Sequence, residues 1–177
     1  MSRVLVTGAA SALGRALVGG LLADPAVELV LAVDATAPGA EGERLRCLHA
    51  DLVRPRDVRT LLYGPTRELA IDTVVHAALH GSPTHGGRRA HALDVESTRE
   101  LLRLAEDHPT LRSFVYRSSA DVYHVGADAV EIIDEDHPLE LDPRAPQYVR
   151  DRVEADLSVC VHAGLSPLRI AVLRCAE

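Results

Sequence analysis

Two side chains in "QYVRDRVEAD" (147–156) could act together. Tyr148 precedes Arg152 by four residues, a spacing that puts both on one face of a helix, one turn apart. A phenol has an ordinary pKa of ~10, and a fixed cation beside it favours the phenolate and brings proton transfer closer to neutral pH. The alternative is a surface helix pair in which Arg152 bridges Asp151 or Asp156. A second stretch, "VTGAASALGRAL" (6–17), points to anion binding. Gly8 permits a sharp turn. Ala10, Ser11, Ala12 and Leu13 then fall at a helix start, where free N–H groups and the positive dipole end attract a phosphate. Gly14 permits close packing of that helix on a sheet. Ser11 stands where a dinucleotide turn usually carries a glycine, and its hydroxyl is a further donor for a phosphate. Asp34 follows Gly14 by 20 residues, where a carboxylate accepts hydrogen bonds from an adenosine ribose and repels a 2′-phosphate. No Arg directly follows Asp34, so NAD is favoured over NADP.

These groups need elements to hold them. "RVLVT" (3–7), "VELVLAVD" (27–34), "RLRCLHAD" (44–51), "IDTVVHAA" (71–78), "LRSFVYRSS" (111–119) and "LRIAVLR" (168–174) read as strands. Helical spacing marks 11–23, a helix opened by Pro55 through about Tyr63, a long helix from Arg89 to about Asp107, and another from about Ala145 to Ala163. "GSPTHGG" (81–87) reads as a loop, and 126–144 has no clear period. Strand and helix alternate, which predicts one α/β domain over 1–177, a doubly wound parallel sheet with helices on both faces.

Composition excludes several classes. The chain has 177 residues and a net charge of −7, which argues against a nucleic-acid backbone binder. Aromatics are 3%, too few for a base-stacking platform. All 19 basic residues are Arg and none is Lys, so a coding bias could explain Arg152 as well as chemistry could. Cys47, Cys160 and Cys175 form no CxxC pair, which fits a reducing cytoplasm. His76, His80, His85 and His91 sit in no metal-ligand motif. The apolar start is broken by Thr7, Ser11 and Arg15, and no apolar run approaches the ~20 residues that cross a bilayer.

Taken together, "VLVTGAASALG", Asp51-Leu52, "VVHAA" (74–78), "DVESTRELL" (94–102), "FVYRSSADVYHVG" (114–126) and "DEDHPLELDPRAPQYVRDR" (134–152) resemble the extended short-chain dehydrogenase/reductases, specifically the NAD-dependent epimerase/dehydratase family. The resemblance covers nearly the whole chain. It implies a Rossmann-type fold and hydride transfer between NAD and a sugar-nucleotide or similar small-molecule alcohol or ketone. It implies that Asp51, Leu52, His76, Ala77, Ala78 and Asp94 lie against the cofactor. Ser119 would hold the substrate oxygen, Tyr148 would move the proton, and Arg152 stands where the family has Lys. Asp94 and Ser97 stand for the family's Asn and Gly. Arg keeps the charge but not the compact ammonium that binds the nicotinamide ribose. The resemblance also implies a homodimer through the helices at about 89–107 and 145–163, with Leu93, Leu101, Leu104, Val153 and Leu157 as candidates, and a C-terminal substrate lobe that would be missing after Glu177. A non-catalytic dinucleotide-binding sensor or partner subunit is the alternative reading.

Overall fold

A computed structural model describes residues 1–36, 42–81, 87–125 and 132–176. His85 and part of the 126–144 stretch lie outside the described residues. In chain order the elements are β1 (Ser2–Thr7), α1 (Ala12–Ala23), β2 (Val27–Asp34), β3 (Leu45–His49), α2 (Pro55–Leu61), β4 (Thr73–His76), α3 (Arg88–His91), α4 (Ser97–Glu106), β5 (Ser113–Ser119), α5 (Gln147–Ala163) and β6 (Arg169–Cys175). The six strands form one sheet in the order β3-β2-β1-β4-β5-β6. Every pairing is parallel. The order reverses between β1 and β4, and in open α/β sheets ligands bind outside the carboxyl ends of strands at such a switch point.

The strands alternate between two cores. Leu5, Leu31, Val33, Val74, Phe114 and Tyr116 meet α2, α4 and α5. Val4, Val6, Val30 and Ala32 point the other way and take Val18, Leu21 and Leu22 of α1. The anticipated doubly wound sheet is therefore present, with α1 on one face. β6 is an edge strand whose Leu173 is exposed.

Two helices depart from simple expectation. α2 runs on through a wide π turn, Leu62–Thr66, with Pro65 inside it. Proline has no N–H, so the wider turn carries the chain past the missing bond. The long helix expected from Arg89 to Asp107 is interrupted by a second π turn, Ala92–Glu96, between α3 and α4. Among the described residues no helix is long and apolar enough to cross a membrane.

Candidate cofactor and active site

The turn after β1 is built by backbone contact. Gly8 has φ +70°, and a Cβ there would lie 2.7 Å from Ala78 Cα. A Cβ on Gly14 would meet Gly8 O at 2.1 Å. Both positions therefore exclude any side chain. Ser11 is the N-cap of α1. Its Oγ donates to Gly8 O at 2.8 Å and accepts from Gly14 N at 2.9 Å. In this conformation the hydroxyl proton is used within the turn. The amides of Ala12 and Leu13 remain at the open end of the helix, where first-turn N–H groups have no partner within the helix. Asp34 fastens the same turn: its carboxylate accepts from Ala10 N at 3.0 Å and from Thr36 N at 2.9 Å. Each oxygen keeps a further lone pair for a hydroxyl.

Gly8, Ser11, Asp34, Asp51, Leu52, Ala77 and Ala78 line one cleft over the carboxyl ends of the strands. Arg89 and Arg117, not foreseen from sequence, line it too. Asp51 is engaged by Arg89 at 3.0 Å. Two residues expected against the cofactor are not part of the cleft lining. His76 is wholly buried and lies beneath the cleft. Its Nδ1 meets Thr7 Oγ1 at 2.7 Å and its Nε2 meets Thr98 Oγ1 at 2.9 Å. Thr98 gives its own proton to Asp94 O at 2.7 Å, so Thr98 accepts from Nε2–H and Thr7 donates to Nδ1. Desolvation pulls the His76 pKa down to about 4, so the ring is a neutral strut. Asp94, also buried, does not line the cleft. Its Oδ1 accepts from His80 N at 2.7 Å and so fixes the cleft wall. Burial pushes its carboxyl pKa up, against the pull of the His80 amide and of Arg152.

Ser119, Tyr148 and Arg152 do come together. β5 ends at Ser119, and α5 carries the other two on one face. Arg152 is only 3% exposed, which rules out the surface pair. Asp151 is taken by His91 and Gln147, and Asp156 by Ser118 and Arg174, so Arg152 bridges neither. Its Nη1 donates to Ser119 Oγ at 3.1 Å and also to Asp121 Oδ2. Its Cζ lies 5.3 Å from the Tyr148 ring centroid, a cation–π placement. Asp121 was missed by sequence reading, although it sits two residues past Ser119 in the same motif. Ser119 is 1% exposed, so in this conformation the serine is closed off behind the guanidinium. Tyr148 is half-buried at the edge of a neighbouring recess of about 730 Å³ shared with Asp121, Glu140, Asp142 and Arg144.

The helix face expected to associate is largely internal. Leu101 and Leu104 belong to the main core, Val153 packs with Val122, Tyr123 and Val149, and Leu93 lines the cleft. Leu157 alone of the five is exposed. Nearby, His91, Asp151 and Glu154 bring possible ligand atoms within 4.8 Å of one another. Protein partners occupy all three: His91 Nδ1 lies 2.9 Å from Asp151 Oδ1, and Arg99 meets Glu154 at 2.9 Å. The hydrogen bond to Asp151 raises the His91 pKa above 6.5. A raised folded-state pKa gives stability that is complete below pH 6.5 and is lost as pH rises through the folded value. Wild type should therefore lose more stability than His91→Gln between pH 6 and pH 8.5, by urea melts at each pH, with pH limits bracketing the ~6.5 of free imidazole. Parallel losses would remove His91 as the source.

Comparison with known proteins places this geometry. An uncharacterized protein of Mycobacterium tuberculosis is 36% identical over 122 residues, 68% of this chain and 32% of its own length. A short-chain dehydrogenase/reductase superfamily protein from Agrobacterium tumefaciens, solved with bound NAD, is 28% identical with a TM-score of 0.78, covering 97% of this chain and 48% of that one. UDP-glucuronic acid 4-epimerase from Bacillus cereus, solved with UDP-glucuronic acid and NAD, shares the fold at 24% identity and a TM-score of 0.77, over 97% of this chain and 55% of that one. The chain thus spans about a third of the curated relative and about half of each of these two solved chains. Residues 4–177 match the NAD dependent epimerase/dehydratase family. That match reaches from within β1 through β6, and the chain belongs to the NAD dependent epimerase/dehydratase family.

Proposed function

We propose that this chain is the NAD-binding domain of an oxidoreductase acting on a sugar-nucleotide or a similar alcohol or ketone. The observation that carries the reading is the side-chain-free turn at Gly8 and Gly14 with Asp34 clamped to it, in one cleft with Asp51, Leu52, Ala77 and Ala78. Those residues fit NAD: α1 amides for the diphosphate, Asp34 for the adenosine ribose, and an apolar floor. NAD, when bound, supplies the hydride acceptor or donor. The chain's own part is proton handling. Tyr148 gives or takes the proton, Arg152 provides the neighbouring positive charge, and Ser119 holds the reacting oxygen by its hydroxyl. A small-molecule substrate, a reducing compartment and a second copy meeting the exposed Leu157 of α5 belong to the same reading.

Paired calorimetric titrations test the cofactor. NAD should bind about tenfold or more tighter than NADP, because like charges at Asp34 and the 2′-phosphate repel. Asp34→Ala should narrow the gap. Equal or tighter NADP binding by wild type would overturn the role of Asp34.

The closed position of Ser119 and Arg152 favours a second reading, a dinucleotide-binding sensor without turnover. Hydride exchange with a panel of nucleotide-sugars and simple alcohols separates the two. In the full-length protein Tyr148→Phe should lower turnover by about a hundredfold or more with NAD affinity kept, and Arg152→Lys should raise turnover. Activity indifferent to Tyr148→Phe would refute the catalytic assignment. NAD binding with no turnover in wild type or either variant supports the sensor.

A further inference from the structure

Arg152 and Asp121 form a unit. The guanidinium is buried, and one nitrogen, Nη1, serves both Ser119 Oγ and Asp121 Oδ2. Asp121 lies on the short 3-10 turn Ala120–Val122 that follows β5. Its backbone N–H also donates to Ser119 Oγ, at 3.3 Å. Ser119 Oγ thus accepts twice, once from each member of the pair. A hydroxyl has two acceptor lone pairs and one proton. With both lone pairs used, the serine can act only as a donor. The carboxylate meanwhile draws the guanidinium toward β5 and across the Tyr148 ring.

We propose that Asp121 is a positioning residue that holds the Arg152 guanidinium on Ser119, so that the serine hydroxyl is fixed as a donor and the cation is kept over the Tyr148 ring. Its role in turnover rests on the function proposed above; the positioning itself does not. A lysine at 152 would offer one compact ammonium, whereas the forked guanidinium can hold a carboxylate and a hydroxyl from a fixed plane. Asp121 and Arg152 are therefore best understood together, as one replacement of a charge arrangement by another. Among the described residues, the other charged groups that line the recess beside Tyr148 are Glu140, Asp142 and Arg144. Glu140 lies 2.7 Å from His124, and Asp142 is paired with Arg144 at 2.7 Å, so the Asp142 charge is largely balanced locally.

The test uses the whole chain as Asp121→Asn, Asp121→Ala and Asp121→Glu. Tyrosine labelled with carbon-13 at Cζ reports the surroundings of each ring at neutral pH, and with four tyrosines in the chain Tyr148→Phe assigns the signal. Removing the carboxylate takes away the group that draws the guanidinium across the ring, so the Tyr148 signal should shift in the Asn and Ala variants and return toward wild type in the Glu variant. A second readout works at neutral pH: the Arg152 side-chain nitrogen signals should be slowly exchanging in wild type and Asp121→Glu and averaged in Asp121→Asn. Tyr148 and Arg152 signals unmoved by Asn and Ala, or moved equally by all three variants, would overturn the proposal. Asp121→Asn nearly conserves shape, so it keeps the test open should the alanine variant unfold. NAD titration of the same samples separates the two ideas. Wild type that fails to bind NAD defeats the proposed function, while the Tyr148 and Arg152 signals still decide the role of Asp121.

Discussion

Gly14→Ala should destabilise the protein by about 3 kcal/mol and abolish dinucleotide binding. A methyl at position 14 would sit 2.1 Å from Gly8 O and 2.8 Å from Ala9 Cα. Both are backbone atoms, so no side-chain rotation relieves the clash. Either α1 lifts from the turn or the turn opens. In both cases Ser11 Oγ leaves Gly14 N, and the amides that would face a phosphate lose their aim. The same helix supplies its own control. Gly19 and Gly20 have no heavy atom within 4 Å of a Cβ. Alanine at each should stabilise by about 0.5–1 kcal/mol, since glycine is the poorer helix former. Urea denaturation of the three variants reads all of this. A Gly14→Ala midpoint equal to wild type would mean that the turn is not packed as described.

The second large effect is expected at Asp156, which is fully buried beneath β5 and β6. It accepts from Ser118 Oγ at 2.5 Å and takes both arms of Arg174, Nε at 3.1 Å and Nη2 at 2.9 Å. Arg174 in turn reaches Tyr123 OH at 3.1 Å and lies over that ring, its Cζ 5.1 Å from the centroid. The hydrogen bonds to Asp156 hold the Arg174 pKa above its ordinary value. Asp156→Ala leaves that cation without its counter-charge and should cost about 3–5 kcal/mol. Replacing both partners by apolar residues of similar volume, Asp156→Leu with Arg174→Met, should recover most of the loss, because no charge is then stranded. A double-mutant cycle by denaturation measures the coupling. Additive losses would show that the pair does not act as a unit.

Much of this protein was legible in its sequence. Apolar runs of strand length, each followed by helical spacing, gave the six strands and the alternation that forces a parallel sheet. Gly8, Gly14 and Asp34 could be read because backbone geometry and a carboxylate at a strand end have local causes. Tyr148 and Arg152 could be put on one helix face by spacing alone. What Arg152 would meet could not. Asp121 lies 31 residues away in sequence and arrives only when β5 and α5 pack together. Likewise, β1 and β4 pair in a register that sets Thr7 opposite His76, and α4 then brings Thr98 to the other ring nitrogen. That encounter makes His76 a neutral strut beneath the cleft. The helix face offered for association divided for the same reason. Periodicity marks Leu101, Leu104 and Val153 as apolar positions on a helix, but does not say whether a sheet or a second copy covers them. Hydrophobic pattern is a property of neighbours along the chain. The partner of a buried polar group is chosen by strand register and helix packing across it, and a group removed from water must find one there.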